Sequence, residues 1–408
     1  MWSTVFDNML TRLVQTGSLR VTFPDGSMRS YGPGGDMSAA VHVHEEDVIR
    51  GICMRPDLTL GEAYVDQRLS IENDDIDGLI RLVLRNRYNN TLPAWVRMVK
   101  KSQLALGRFI QRNTPESARA NVAHHYDLSN DLYRLFLDED MQYSCAYFAD
   151  PGMSLEEAQR AKKAHIAAKL RIEPGMRVLD IGCGWGGMAM TLAREYGARV
   201  TGVTLSEQQL ALANARVDEA GLSERVDFRL LDYRRLNENF DRIVSVGMLE
   251  HVGLPHYSDY FSKVAELLSP DGVALIHTIG RTGKPMVQSE WITKYIFPGG
   301  YVPSLSELAP SIEESGLWNA DIEVLRLHYA YTLRHWLQRF DAHLEDIRAR
   351  YDDRFVRMFR YYLTVCALAF EEQEQAVFQF QLAHKRDAVP LTRDYLYRSQ
   401  GEQQAAAE

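Results

Sequence analysis

The stretch Arg177-Val-Leu-Asp-Ile-Gly-Cys-Gly-Trp-Gly-Gly187 constrains the fold of this chain more than any other. A short apolar run, Val178 to Ile181, is broken by glycines and resumes with Met188, Leu192 and Ala193 at helical spacing, the pattern of a buried strand entering a helix through a tight turn. Gly182, Gly184 and Gly186 carry no Cβ, so the turn tolerates unusual dihedrals and lets a ligand approach the backbone, where the new helix presents unpaired N–H groups. A nicotinamide-binding unit would place an acidic residue roughly 20 residues downstream, at the tip of the second strand. Here that strand, Arg199 to Val203, ends in Thr204-Leu-Ser-Glu-Gln-Gln209, with no acid at its tip.

That departure disfavours NAD and points to S-adenosylmethionine, whose binding turn has the form D-x-G-x-G-x-G found from Asp180 to Gly186. Downstream, strands alternate with helices: strands at 177, 199, 226, 240 and 273, with helices between them, predict a parallel sheet covered on both faces. Ligands in such sheets sit beyond the carboxyl ends of the strands. Those ends carry Asp180, Thr204 with Leu205 and Gln209, Asp232 with Tyr233, Glu250 with His251, and His277. Asp232 suits a hydrogen bond to an adenine amino group. Glu250, at the mouth of a buried strand, faces either a ligand or a desolvation cost. His277 is an ionisable group within the apolar run Ala274-Leu-Ile-His-Thr-Ile279, to be read either as a satisfied core histidine or as part of a polar site shared with Glu250.

Length and composition bound the rest. A chain of 408 residues with 46% hydrophobic and 25% charged residues can bury a sizeable core. A net charge of -9 offers no basic excess to displace phosphate counterions, so nucleic acid is not an expected partner. The four cysteines lie far apart without a CxxC spacing, which predicts neither a disulfide framework nor a metal site, and a reducing cytoplasm is the expected compartment. His42 and His44 alternate on a strand with no further ligand nearby and are expected on a half-exposed face.

We expect an N-terminal α+β domain over 1–115 and a catalytic domain over 116–408 with a lid insertion at 281–304. Within the first, Pro24-Asp25-Gly26 predicts a hairpin, and 58–71 and 76–83 read as helical. Pro93 to Asn113 carries basic residues and no acidic one. On a helix, Trp95, Met98, Val99, Leu106, Phe109 and Ile110 share a face beside or opposite Arg97, Lys101, Arg108 and Arg112. Such a helix either lies in a lipid interface or packs on a domain. The insertion, with Trp291-Ile-Thr-Lys-Tyr-Ile-Phe-Pro-Gly-Gly300, suits a lid or channel wall for an apolar substrate, or a packed loop, and 332–385 reads as helical.

Tyr143-Ser-Cys-Ala-Tyr-Phe148, Leu179-Asp-Ile-Gly-Cys-Gly-Trp-Gly186, Val203-Thr-Leu-Ser206, Met248-Leu-Glu-His-Val252, Lys294-Tyr-Ile-Phe-Pro-Gly299 and His328-Tyr329 with Thr332, Leu333 and Trp336 together resemble the cyclopropane fatty acid synthases and mycolic acid methyltransferases. The resemblance runs from about Asn121 to the C-terminal helices, and the N-terminal unit resembles one carried by enzymes of membrane phospholipids. It implies a class I S-adenosylmethionine-dependent methyltransferase sheet of Rossmann-like α/β type, with a small N-terminal α+β domain and extra C-terminal helices. The implied reaction adds a methylene to a cis double bond of an unsaturated phospholipid chain, with bound bicarbonate as base.

The resemblance places the bicarbonate on Cys145, Glu250, His277, Tyr329 and the N–H of Ile279. It places the cofactor on Tyr143, Ser144, Gly182, Gly184, Thr204, Gln209 and Asp232, to which the strand-end reading adds Asp180, Gly186, Leu205 and Tyr233. It further implies a homodimer in peripheral contact with the inner face of the membrane. Methyl transfer to lipid without ring closure, N-methylation of a small molecule, and a non-catalytic lipid-binding role are the competing readings.

Overall fold

The computed structural model describes residues 2–88 and 129–397, which divide into two compact units. The basic segment 93–113 and the motif 121–128 lie outside the described residues. The first unit gathers the N-terminal elements with 286–298 and 333–374, and the second holds 299–332 and 375 onward together with the residues up to 285.

In the first unit, α1 (Trp2–Leu13) buries Phe6 and Leu10. β1 (Gly17–Thr22) and β2 (Met28–Gly34) form the expected hairpin, with Asp25 Oδ1 accepting from Ser27 N at 2.9 Å and Gly26 at φ 81°. β3 (Ser38–Val43) runs parallel to β1, and β4 (Leu69–Ile71) completes a sheet of order β2-β1-β3-β4. Helices α2 (Glu46–Met54), α3 (Pro56–Val65) and α4 (Ile76–Tyr88) surround it. The segment 58–71 is therefore not one helix. It breaks at Asp66-Gln-Arg68, where Gln67 adopts φ 58°, and continues as β4.

The later segments of this unit are tied to the N-terminal helices by ion pairs and packing. α10 (Glu290–Tyr295) uses the missing Cβ of Gly61, which would come within 2.4 Å of Trp291, and adds pairs from Lys294 to Glu62 (2.6 Å) and from Arg55 to Glu290 (2.6 Å). α14 (Asp353–Glu372) carries Glu371 and Glu372, which meet Arg81 and Arg85 of α4 at 2.7 Å each. The middle of the aromatic insertion is thus a packed helix with Trp291 buried.

In the second unit, α5 (Asn130–Phe136) and α6 (Leu155–Leu170) precede β5 (Arg177–Ile181). There follow α7 (Gly187–Tyr196), β6 (Arg199–Thr204), α8 (Glu207–Glu219), β7 (Val226–Leu230), β8 (Phe240–Val246), α9 (Tyr257–Leu267) and β9 (Leu268–Arg281). α11 (Leu305–Glu314), β10 (Trp318–Leu325), the start of α12 (His328–Ala342) and β11 (Gln375–Ala383) also belong to this unit, while the rest of α12 and α13 (Leu344–Arg350) belong to the first.

The seven-stranded sheet has the order β10-β11-β9-β8-β5-β6-β7, parallel except for β11. Strand order reverses between β5 and β8, the crevice where such sheets bind ligands. Alternation fixes the two faces: Leu179, Ile181, Ile243 and Ile276 pack toward Phe261 and Leu267, while Val178, Val200, Val244 and Leu275 pack toward Ile166 and Leu192. The helical reading of 332–385 fails at its end, because β11 is a strand. Being central, it is buried on both faces, its two alternating glutamines, Gln379 and Gln381, included.

Candidate active site

The turn after β5 has Gly182, Gly184 and Gly186 at φ 80°, 54° and 84°. Their reasons differ. A Cβ on Gly184 would meet nothing within 4 Å, so this residue faces open space. A Cβ on Gly186 would strike Phe228 at 2.5 Å, and one on Gly187 would strike Gln142 at 2.3 Å, so these two glycines serve packing. Gly187 also completes G-x-G-x-x-G spacing with Gly182 and Gly184, and glycine spacing alone does not separate cofactor classes here.

The amides of Gly182 and Cys183 donate to Val203 O at 2.9 and 3.0 Å, locking the turn to β6. Asp180 is buried with Oδ2 lacking any partner, and burial lifts its carboxyl to about 7 against the opposing charge of Lys162. An open glycine face beside an orphaned carboxylate fits a cofactor with a cationic tail.

Around this turn, Thr204 Oγ1 donates to Gln209 Oε1 at 2.8 Å, with Leu205 half-buried between them. Asp232 caps a short turn and is bound by Arg234 at 2.5 Å. Burial would raise its pKa, but the Arg234 bonds hold it below the usual range. Tyr233 is taken up by the core, edge-on to Tyr260 at 5.5 Å.

The segment 142–148 crosses the site. Tyr143 sits against Tyr133 (5.1 Å between ring centroids) and Phe136 (6.3 Å), and Tyr133 also packs on Trp185 of the glycine turn. From α6, Gln159 Nε2 donates to the carbonyls of Gln142 (3.1 Å) and Ser144 (3.0 Å), and Lys162 Nζ donates to Gln142 Oε1 (2.7 Å) and Ser144 Oγ (2.9 Å). Cys145 is buried, its thiol pushed up by desolvation and donating weakly to Ala146 O at 3.3 Å. Next along, Ala146 N donates to Thr332 Oγ1 (3.0 Å) and Phe148 N to His328 Nδ1 (2.9 Å). The start of α12, which carries Tyr329, is thereby stitched to the cysteine segment. Tyr331 instead packs edge-on to Phe148 at 5.5 Å.

Glu250 follows the end of β8, and His277 lies within the neighbouring strand β9. His277 is in register with Val246, and its carbonyl accepts from Gly247 N at 2.9 Å. The chain then turns through Leu249–His251, where Glu250 Oε1 accepts from Ile279 N at 2.6 Å. Its Oε2 is buried with no partner among the described residues, and desolvation lifts the carboxyl to about 7. His277 is held well below its ordinary pKa, by burial first and then by the charges of Lys162 and Lys169, so its ring is neutral. Gln379, its register partner on β11, donates from Nε2 to Nδ1 at 3.1 Å, which places the ring hydrogen on Nε2.

The Ile279 amide thus donates to Glu250, and the His277 ring is bonded by Gln379. Sequence reasoning missed Gln379, Lys162, Gln159 and Gln142. For Gln379 a signal existed: in Val377-Phe-Gln-Phe-Gln-Leu382 glutamine alternates with apolar residues, and both glutamines are buried. Gln159 and Lys162, three residues apart, stand on one helix face, with no sequence mark to separate them from the charged residues around them.

The reversed strand order, the glycine turn and the orphaned acid at its edge define a class I methyltransferase that uses S-adenosylmethionine. The family model described as mycolic acid cyclopropane synthetase matches residues 112–380, and a domain of unknown function matches 5–92. The chain belongs to the cyclopropane synthetase family. It is 41% identical over 345 residues to the cyclopropane-fatty-acyl-phospholipid synthase of Escherichia coli K12, covering 85% of this chain and 88% of that one. It is 38% identical over 394 residues to a probable fatty acid methyltransferase of Pseudomonas putida, covering 93% and 96%. The crystal structure of mycolic acid cyclopropane synthase CmaA1 complexed with SAH and CTAB aligns with a TM-score of 0.62 at 36% identity, over 65% of this chain and 97% of that chain.

Proposed function

We propose that this enzyme converts cis double bonds of unsaturated phospholipid acyl chains to cyclopropanes, with bicarbonate held as the base. The observation that carries this reading is the convergence of buried Glu250, with its free Oε2, on the strand that bears neutral His277. S-adenosylmethionine, when bound, supplies an electrophilic methyl, and bicarbonate supplies an oxygen base for the proton that leaves it.

The protein's residues hold these groups and exclude water. An alkene is a weak nucleophile, so the rate depends on alignment and on a dry surrounding that traps no cation. Neutral His277, with its Nε2–H, and the un-ionised Cys145 thiol offer weak nucleophiles and hydrogen-bond donors. Glu250 Oε2 accepts a hydrogen from a bound hydroxyl, and Tyr329 closes the set from the start of α12. Gln379 keeps the imidazole in one tautomer. Tyr143, Ser144, Asp180, Gly182, Gly184, Thr204, Leu205, Gln209 and Asp232 form the cofactor side.

The substrate implies contact with a membrane. Among the described residues no helix is long and apolar enough to cross one. We infer peripheral binding of a homodimer at the cytoplasmic face; the basic segment 93–113 either makes that contact or packs on a domain. The test is incubation of purified protein with S-adenosylmethionine, bicarbonate and vesicles of unsaturated phospholipid. Acyl chains gain a methylene and lose the vinyl proton signal, while retained olefin refutes ring formation. The likeness to the Pseudomonas putida relative favours a second reading, methyl transfer without ring closure, which proton NMR separates by its branched-methyl or methylene signals.

A further inference from the structure

Lys162 is fully buried, yet its ammonium bonds only two neutral oxygens, Gln142 Oε1 and Ser144 Oγ. Among the described residues it forms no ion pair, whereas Lys163 and Lys169 on the same helix both do. A buried charge without a counter-ion is costly. Its place gives it a use, because the oxygen it touches belongs to Ser144 of the cofactor segment. A serine hydroxyl has one hydrogen and two lone pairs. With one lone pair taken by Lys162, the hydrogen is directed away from the ammonium, and no acceptor for it is found among the described residues. Gln159, one turn earlier, clamps the same segment through the Gln142 and Ser144 carbonyls, which fixes the backbone from which the hydroxyl projects.

We propose that Lys162 is a positioning residue that acts through Ser144, turning the hydroxyl into a fixed, polarised donor for the methionine carboxylate of the cofactor. The proposal rests on the reading of Ser144 as a cofactor ligand. It makes the site selective for nucleosides that carry a carboxylate. Charge supports the assignment: Lys162 acts on Asp180, Cys145 and His277, and is itself influenced by Asp138, Asp140 and Lys163. Burial lowers its pKa to about 8.

The test compares binding of S-adenosylhomocysteine with that of methylthioadenosine, which lacks the amino-acid arm, by calorimetry. Lys162→Met is expected to weaken S-adenosylhomocysteine about thirty-fold, the size of a lost charge-assisted bond, and methylthioadenosine hardly at all. In a Ser144→Ala background the further effect of Lys162→Met disappears. Equal losses for both ligands, or an undiminished effect without Ser144, overturn the proposal. Should Lys162→Met not fold, the wild type decides. A thioadenosine with a butyrate arm, bearing the carboxylate and no amine, should lose its advantage over methylthioadenosine as pH rises through about 8. A ratio flat across that range overturns the proposal. Wild-type protein that binds none of these nucleosides refutes the cofactor site itself, a distinct result.

Discussion

Of the three buried lysines of helix α6, Lys169 and Lys162 have opposite surroundings. Lys169 and His165 meet Glu323 of β10 at 2.5 and 2.6 Å, and Tyr147 stacks on His165 at 4.3 Å. Burial alone would raise the Glu323 pKa, but the bond from His165 and the charge of Lys169 overcome it and hold the carboxyl at about 2. Two turns earlier, Lys162 has no carboxylate partner among the described residues, and Asp180, which feels its charge, is lifted to about 7 with one oxygen orphaned, as is Glu250 in the turn after β8. One cluster is complete without any ligand, the other is not. Buried charges that satisfy one another tie α6 to the sheet; in the proposed reading, those left unsatisfied are the ones that cofactor and oxyanion would complete.

The comparison breaks first at Glu250. Glu250→Ala should lower turnover on vesicles about a hundred-fold or more while S-adenosylhomocysteine affinity changes little, since this acid serves the reaction and not the nucleoside. A parallel loss of affinity would merge it with the cofactor side. Next is Glu323→Gln, which leaves Lys169 without its strongest partner and should cost about 3 kcal/mol in urea unfolding. Activity of the folded fraction should remain, and a stable but inactive variant would place Glu323 in the functional group.

The two clusters also answer pH in opposite senses. Glu323 is depressed, so its contribution to stability is present above its ordinary value of 4.5 and is lost as pH falls toward about 2. Asp180 and Glu250 are raised, so their contribution is full below their ordinary values and is lost as pH rises through about 7. Accordingly kcat/KM, which reports the free enzyme, should climb several-fold through an apparent value near 7 as the two acids ionise. A profile flat from acid to neutral would deny them a role.

The smallest effect concerns the helix that bears both lysines. Ser154 and Glu157 form a capping box at its start, and Ser154→Ala should cost about 1 kcal/mol by thermal unfolding with little change in kcat. A larger loss of activity would mean that the site depends on the helix position as a whole.

Much of this was legible in the residues. The glycine turn, the strand ends and the acids beyond them follow from local patterns of period two and 3.6: Asp180 lies at the end of β5 and Glu250 in the turn after β8, whereas His277 lies inside β9, which runs on to Arg281. What stayed hidden was the far edge of the sheet. β10 and β11 pair antiparallel with partners far away in sequence, and a doubly buried strand resembles a helix in composition. With β11 went Gln379. Lys162 was hidden for another reason: in Lys162-Lys163 one lysine is fully buried on neutral oxygens and its neighbour is paired to Asp140, a difference made only by the loop that folds back over α6.

The central claim is that Glu250, His277 and Cys145 hold an inorganic oxyanion that removes the proton. It is tested most directly by the turnover of wild-type protein on unsaturated vesicles in buffer stripped of carbon dioxide. Activity should fall about ten-fold or more and return on adding bicarbonate, with no such dependence left in Glu250→Ala. Full, unchanged turnover in the stripped buffer would contradict the account.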